Sequence, residues 1–283
     1  MPQAHAPTAK RLMRLLWKGL PRTSATFDLG KLITRSILRP ESGSLSVDVQ
    51  FSGRIPMRLD LSSFVANDLY CLDDHYESIT LKLWRKLALD AKVILDVGSH
   101  IGTFALVAAE ANPHARIVCV EADGNIYGHL KFHTERYPNI TAVHAAIADS
   151  STNMWFCPLG GNDGGGFLTT AKPSNERCYP VTTHTLLNLC GERNIVAIDL
   201  MKLDVEGFEY ELLTRNDDFF SKHSPKHLLV ELRRDHNDAT KSDEIFAAMA
   251  RRGYSARRVQ GLYAVPFGKD HDLANWHFEK ARA

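Results

Sequence analysis

Val93–Phe104 reads VILDVGSHIGTF. An apolar run carrying one acid, Asp96, leads into two glycines, Gly98 and Gly102, with three residues between them. A continuous apolar run is what a strand buried on both faces requires. The next residues, TFALVAAEA from Thr103, have helical composition, and Pro113 closes the region. The stretch therefore predicts a strand that turns tightly into a helix. Such turns present free N–H groups and the positive end of the helix dipole to a ligand. The dinucleotide form carries its glycines as G-x-G-x-x-G, so that bare backbone can approach a pyrophosphate. Here Ser99 and His100 follow Gly98, and the middle glycine is absent.

Outward from the turn, strand and helix patterns alternate. ARIVCVE (Ala115–Glu121) predicts a second strand and ITAVHAAIA (Ile140–Ala148) a third, with the helix candidate NIYGHLKFHTERY between them. AIDLMKLDV (Ala197–Val205) and HLLVEL (His227–Leu232) predict two more strands, separated by the helical stretch GFEYELLTRNDDFF. EIFAAMARRG reads as a late helix and YSARRVQGLYAVPF as a closing hairpin around Gln260-Gly261. Strands alternating with helices imply right-handed crossovers and a mainly parallel α/β sheet. Residues 44–60 alternate instead and predict an antiparallel hairpin before that sheet. Residues 152–183 hold a strand candidate, NMWFC, and five glycines between Gly160 and Gly166. No helix follows those glycines, so they predict a hairpin or substrate lid and not a phosphate cradle.

The ends of the strands carry the chemistry, because ligands of parallel sheets bind beyond them. Asp96 beside the turn would repel a diphosphate and suit a cation. S-adenosylmethionine (SAM) has a sulfonium and an ammonium group, so this residue favours SAM over NAD. Glu121 ends the second strand, where a carboxylate can accept both ribose hydroxyl hydrogens. Ala148 and Asp149 end the third, at the expected position of the adenine.

In order, ILDVGSHIGTF, VCVEADGNIYGHL, LMKLDVEGFEYELL and LLVEL resemble the FkbM family of SAM-dependent methyltransferases, over about residues 64–235. The resemblance implies a Rossmann-like class I methyltransferase fold, a seven-stranded, mostly parallel sheet with an antiparallel C-terminal hairpin. It also implies O-methylation of sugars, polyketides or other secondary metabolites. By position, Asp96, Gly98 and Gly102 form the SAM turn and Glu121 holds the ribose. The chain departs from the family at Ser99-His100, at Ala122 after the ribose acid and at Leu187. Ser99 and His100 are expected beside the methionine part of SAM, His100 replacing an amide side chain as a hydrogen-bonding group. The expected segments are a basic arm (1–43), a hairpin and helix covering the cofactor (44–90), the methyltransferase domain (91–270) and a tail (271–283).

LMKLDVEGFE places Lys202, Asp204 and Glu206 at alternate positions, hence on one face of a strand. Three charges at the end of an apolar strand need a reason, because unpaired buried charges cost several kcal/mol, roughly. The resemblance makes Lys-x-Asp-x-Glu-Gly its most distinctive motif and the end of the fourth strand the active site. A hydroxyl acceptor benefits from a base. Asp204 is the first candidate and Glu206 the alternative, with Lys202 keeping either ionised. An ion-pair lattice that only organises the loop is the structural alternative. Glu231 and His236 downstream, and Tyr76 and Glu77 upstream, are further substrate candidates. No ligand spacing supports a metal site. The competing functions are a non-catalytic binding protein on the same fold and a nucleotide-dependent oxidoreductase, which would need the missing diphosphate turn.

The 283 residues carry a net charge of +1, which argues against nucleic acid as the main partner and leaves a small-molecule or glycan acceptor. The charge is uneven: residues 1–40 hold eight Lys or Arg and a single acid, Asp28. Lys10–Leu20 can form a basic amphipathic helix with Leu12, Leu16 and Leu20 on one face. Such a helix suits peripheral contact with an anionic membrane or a transit peptide, or else packs on the domain as a solvated arm. No apolar run approaches the roughly 20 residues of a membrane span. The five widely spaced cysteines predict free thiols in a reducing compartment, and with it a cytoplasmic location.

Overall fold

The computed structural model describes residues 6–21, 23–158, 165–174, 177–205, 208–233, 239–259 and 273–281. They fall into two compact units, 6–83 and 84–281. The first unit opens with α1 (Thr8–Trp17) and α2 (Ser24–Ser36). Thr23 caps α2, its hydroxyl accepting the Thr26 N–H at 3.2 Å. β1 (Ser46–Phe51) and β2 (Ile55–Asp60) make the antiparallel hairpin expected of residues 44–60, with Ser46 opposite Asp60. Val47, Phe51, Ile55, Met57 and Leu59, all at alternate positions, are buried. α3 (Phe64–Leu72), capped by Ser63, is buried from Ala66 to Leu72.

The basic arm is integrated into this unit. α1 turns Lys10, Met13 and Trp17 inward. Lys10 Nζ pairs with Glu41 at 2.7 Å and donates to the Arg39 carbonyl at 2.7 Å. Arg14 pairs with Asp73 at 2.7 Å and donates to the carbonyls of Tyr70 at 2.6 Å and Gln50 at 3.1 Å. Buried cations need such partners. Leu12, Leu16 and Leu20 are exposed.

In the second unit, α4 (Ser78–Ala88), which begins in the first, is followed by β3 (Val93–Val97), α5 (Thr103–Ala111), β4 (Arg116–Glu121), α6 (Gly124–Thr134) and β5 (Ile140–His144). Next come β6 (Ala146–Ile147), β7 (Asn153–Pro158), β8 (Gly166–Thr169), β9 (Tyr179–His184) and α7 (Leu186–Glu192). The chain continues through β10 (Leu200–Leu203), α8 (Glu209–Thr214), α9 (Asp217–Lys222), β11 (His227–Arg233), α10 (Ala239–Arg251), β12 (Tyr254–Arg258) and β13 (Leu273–Lys280). Among the described residues the central sheet has seven strands in the order β12-β13-β11-β10-β3-β4-β5. β11, β10, β3, β4 and β5 pair in parallel, and β13 is antiparallel to both its neighbours. This is the mostly parallel α/β sheet with antiparallel closing strands that the sequence predicts. Ile94, Leu95, Val97, Ile117, Val118, Leu200, Leu203, Leu228 and Val230 are fully buried along its centre.

Three expectations are corrected. The second strand of the closing hairpin is Leu273–Lys280, so part of the segment read as a tail inserts between β11 and β12, with Phe278 fully buried. Leu262–Phe267, read as that strand, lies outside the described residues. The third strand divides: β5 joins the central sheet, whereas β6 joins a small second sheet of order β6-β9-β7-β8. Finally, Cys157 and Cys178 are bonded to each other. Antiparallel pairing of β7 with β9 sets Phe156 opposite Tyr179 and makes the two cysteines cross-strand neighbours. The bond removes the argument for a reducing compartment. Cys71, Cys119 and Cys190 are free and buried, and burial pushes the Cys71 and Cys190 thiols up to about 12. No described helix is long and apolar enough to cross a membrane.

Denatured under non-reducing conditions, the protein is expected to show three titratable thiols, and five after reduction. Reduction is expected to lower stability by about 3 kcal/mol, from the entropy of the released loop. Five thiols before reduction would contradict the bond.

Candidate active site

The turn after β3 is stitched to both neighbouring strands. The Val120 carbonyl accepts the N–H groups of Gly98 at 3.0 Å and Ser99 at 2.9 Å. The Ser99 hydroxyl accepts the Val120 N–H at 3.0 Å and donates to the Asp96 carbonyl at 2.6 Å. Its single proton is therefore used inside the turn. On the other side, the Asp204 N–H donates to the Val97 carbonyl at 3.0 Å. Gly98 has φ +79°, and a Cβ there would lie 1.6 Å from the Asp204 carbonyl oxygen. The glycine is thus demanded by the backbone that follows β10, a partner that the sequence reading did not contain. Gly102 caps α5 at φ +94°, where a Cβ would come within 2.8 Å of Leu130 Cδ1 on α6.

Glu121 closes the turn from β4. Its Oε2 accepts the His100 N–H and its Oε1 the Asp123 N–H, each at 2.8 Å. Burial pushes this carboxyl up to about 7, against the pull of those two N–H groups. Each oxygen keeps a further lone pair for a ligand hydroxyl.

On β10, Lys202 stands opposite Asp96 of β3 and Leu229 of β11. Lys202 Nζ lies 2.6 Å from Asp204 Oδ2 and 4.7 Å from the centre of the Phe104 ring. Trp84 holds that ring's backbone, its indole N–H donating to the Phe104 carbonyl at 2.9 Å. Asp96 is fully buried, and neither carboxyl oxygen has a hydrogen-bond partner among the described residues. Burial raises it to about 6, with Lys202 opposing. An unpartnered buried carboxylate is costly, and a cationic ligand would relieve it. The donor set therefore fits the ammonium group of SAM and offers nothing for a diphosphate. Asp204 differs. Burial would raise its carboxyl too, but the charge and hydrogen bond of Lys202, helped by Glu231 and His100, hold it below the usual carboxylate range. Its side chain is 24% exposed.

Glu231, expected at the end of its strand, lies within β11, opposite Asn275 of β13 and one residue beyond the Leu203–Val230 pair, and its side chain bonds to Asp204. Ala148 is fully buried and gives its N–H to the His184 carbonyl at 3.0 Å, while Asp149 is exposed. Tyr76 and Glu77 belong to the first unit, in the turn before α4. Glu206 and His236 lie outside the described residues. Four residues of this region had no place in the sequence reading. Glu209 accepts the Val205 N–H at 2.7 Å and fixes the turn after β10. Asp123 caps α6 by accepting from Asn125 and Ile126, and an Asp before a helical stretch is a legible cap signal. The His144 ring stacks on Tyr127 at 4.8 Å, and the Tyr179 hydroxyl accepts the Gly124 N–H at 2.9 Å. Those two come from β5 and β9, and no local pattern announces them. Among the described residues no group of three His, Cys, Asp or Glu side chains is arranged to hold a metal ion.

Gly98→Ala is expected to destabilise the protein by on the order of 3 kcal/mol, from overlap and left-handed strain together. Gly128→Ala, in α6 with nothing within 4 Å of the added Cβ, is the control. It is expected to be neutral or slightly stabilising. Equal urea midpoints for the two variants would contradict the Gly98–Asp204 approach.

The family profile of the methyltransferase FkbM domain matches residues 96–256, more than half of the 283-residue chain. No curated protein matches the sequence. Among solved structures the chain is similar to the N-methyltransferase NodS from Bradyrhizobium japonicum, at 15% identity over 73% of this chain and 97% of that one, with a TM-score of 0.41. It is also similar to precorrin-6y C5,15-methyltransferase from Geobacter metallireducens, at 14% identity over 69% and 88% of the two chains, TM-score 0.40. A third is Aeropyrum pernix fibrillarin with natively bound SAM, at 15% identity over 71% and 74%, TM-score 0.43. The family match opens at Asp96 and takes in the turn, Glu121, Lys202 and Asp204, and the chain belongs to the FkbM family of SAM-dependent methyltransferases.

Proposed function

We propose that this enzyme methylates a hydroxyl oxygen of a sugar, glycan or other small metabolite, with Asp204 as the residue that receives the acceptor. The observation that carries the reading is the Lys202–Asp204 pair, 2.6 Å apart, whose backbone packs directly on the cofactor turn at Gly98. SAM supplies, when bound, an electrophilic methyl group on a sulfonium that is already a good leaving group. Asp96 is the residue to hold its ammonium end and Glu121 its ribose hydroxyls, with His100 as a neighbour of the methionine part. Ser99 contributes through its place in the turn.

The chain's remaining task is to align an acceptor oxygen and exclude water. Asp204, ionised and anchored by Lys202, accepts a hydrogen bond from the acceptor hydroxyl and fixes the direction of its lone pair. Its low pKa makes it a weak base toward a free alcohol. The hydroxyl proton becomes strongly acidic as the oxygen gains its third bond, so a weak base suffices late in the transfer. Lys202 keeps the carboxylate charged in its partly buried setting. Glu231, beside Asp204, lines the acceptor side, and Glu206, Tyr76, Glu77 and His236 complete the candidates that the family resemblance supplies.

The test is methyl transfer from labelled SAM to a panel of hydroxylated and amine-bearing acceptors, with the product linkage read by mass spectrometry and NMR. An O-methyl ether is expected, and an exclusively N-methylated product would sink the oxygen assignment. On the acceptor found, Asp204→Asn is expected to lower kcat by about 100-fold while SAM affinity stays within a few-fold. Wild-type turnover in that variant would remove Asp204 from its role.

A further inference from the structure

The basic arm presents a surface that the proposed methyl-transfer roles do not use. Two of its cations, Lys10 and Arg14, are spent on Glu41, Asp73 and backbone carbonyls inside the first unit. Arg11 and Lys18 are exposed. With the inward side of α1 made by Lys10, Met13 and Trp17, the opposite side carries Leu12 at 54%, Leu15 at 65% and Leu16 at 70% exposure, continued past the helix end by Leu20 at 42%. These positions are spaced by three, four and eight residues, so they form one stripe on the helix surface. Of the eleven exposed large hydrophobic residues described, six lie between Leu12 and Ile37. The four leucines of the α1 stripe are a denser apolar group than ordinary surface scatter. Arg11 and Lys18 project from the same flank of that stripe by helical spacing.

We propose that the outward leucine stripe of α1, flanked by Arg11 and Lys18, docks this protein on an anionic phospholipid surface. Leucines inserted at the headgroup–acyl boundary lose their contact with water, and the two cations meet lipid phosphates without leaving the aqueous layer. Charge selects this occupant over a second copy of the chain. The outward face shows Arg11 and Lys18, and α1 holds no acid, so two such faces brought together would oppose like charges. Anionic lipid complements both halves of the pattern. The surface is independent of the acceptor assignment, and its failure would leave the methyltransferase reading untouched.

The test is co-sedimentation of the full chain with phosphatidylcholine–phosphatidylglycerol vesicles, against phosphatidylcholine alone and against high salt. The wild type is expected to partition at least about tenfold more strongly onto the anionic vesicles, with the advantage lost in high salt. Leu15→Glu/Leu16→Glu is expected to lose about tenfold or more, and Arg11→Glu/Lys18→Glu a comparable amount, at roughly fivefold per cation removed. Thermal melts confirm that the variants fold, and the wild-type comparison of the two vesicle types stands without them. The proposal is overturned if the wild type ignores anionic vesicles or binds both kinds equally. It is also overturned if the leucine variant binds like the wild type, or if the stripe instead mediates a salt-resistant dimer that the leucine variant disperses.

Discussion

The Asp204 carbonyl oxygen sits where a side chain at position 98 would be. A single backbone approach therefore joins the turn after β3 to the strand that presents Lys202 and Asp204. The hydrogen bond from Asp204 N–H to the Val97 carbonyl and those from Gly98 and Ser99 to the Val120 carbonyl extend the same join across three strands. Nothing in this region can shift alone. If the turn moves, so does the Asp204 carboxylate, and under the proposed role the alignment of the acceptor would go with it. The helices on either side serve the join: Leu130 of α6 packs on Gly102, and Trp84 of α4 fixes the start of α5 at Phe104.

Two buried carboxylates and one partly buried are held in different electrical states by that frame. Asp96 and Glu121 are raised, because burial is met by no counter-charge in direct contact with either. Asp204 is lowered, because Lys202 lies against it. The first two thus store an unfavourable burial that a cationic ligand and its hydroxyl groups would relieve, while the third is already satisfied by Lys202. Under the proposed roles, pushing neighbouring carboxyls apart in this way would divide binding from chemistry.

Much of this was legible in the sequence because it is local. VILDVG announces its own strand, Gly98 and Gly102 announce a turn, and Lys202 and Asp204 share a face by simple alternation. What escaped is what depends on distant partners. Nothing near Gly98 in sequence points to its approach to Asp204. The insertion of β13 between β11 and β12, and the bond between Cys157 and Cys178, likewise follow from pairings between separated strands. Lys10–Leu20 was correctly seen as amphipathic, yet two-sided: Met13 and Trp17 satisfy the unit from within, and only the structure shows that Leu12 and Leu16 are left outside.

The central claim is that a buried, unpartnered acid selects a cation at this turn where a dinucleotide turn would select phosphates. Calorimetric titration with SAM and, in parallel, NAD from pH 5 to pH 8 tests it most directly. Asp96 must be ionised to hold the ammonium group, and its carboxyl lies at about 6. SAM affinity should therefore rise about tenfold between pH 5 and pH 7, with proton release on binding, and NAD should not bind measurably. Asp96→Asn should bind SAM weakly and flatten that rise. NAD binding, or a SAM affinity that is level or falling over the same interval, would contradict the account.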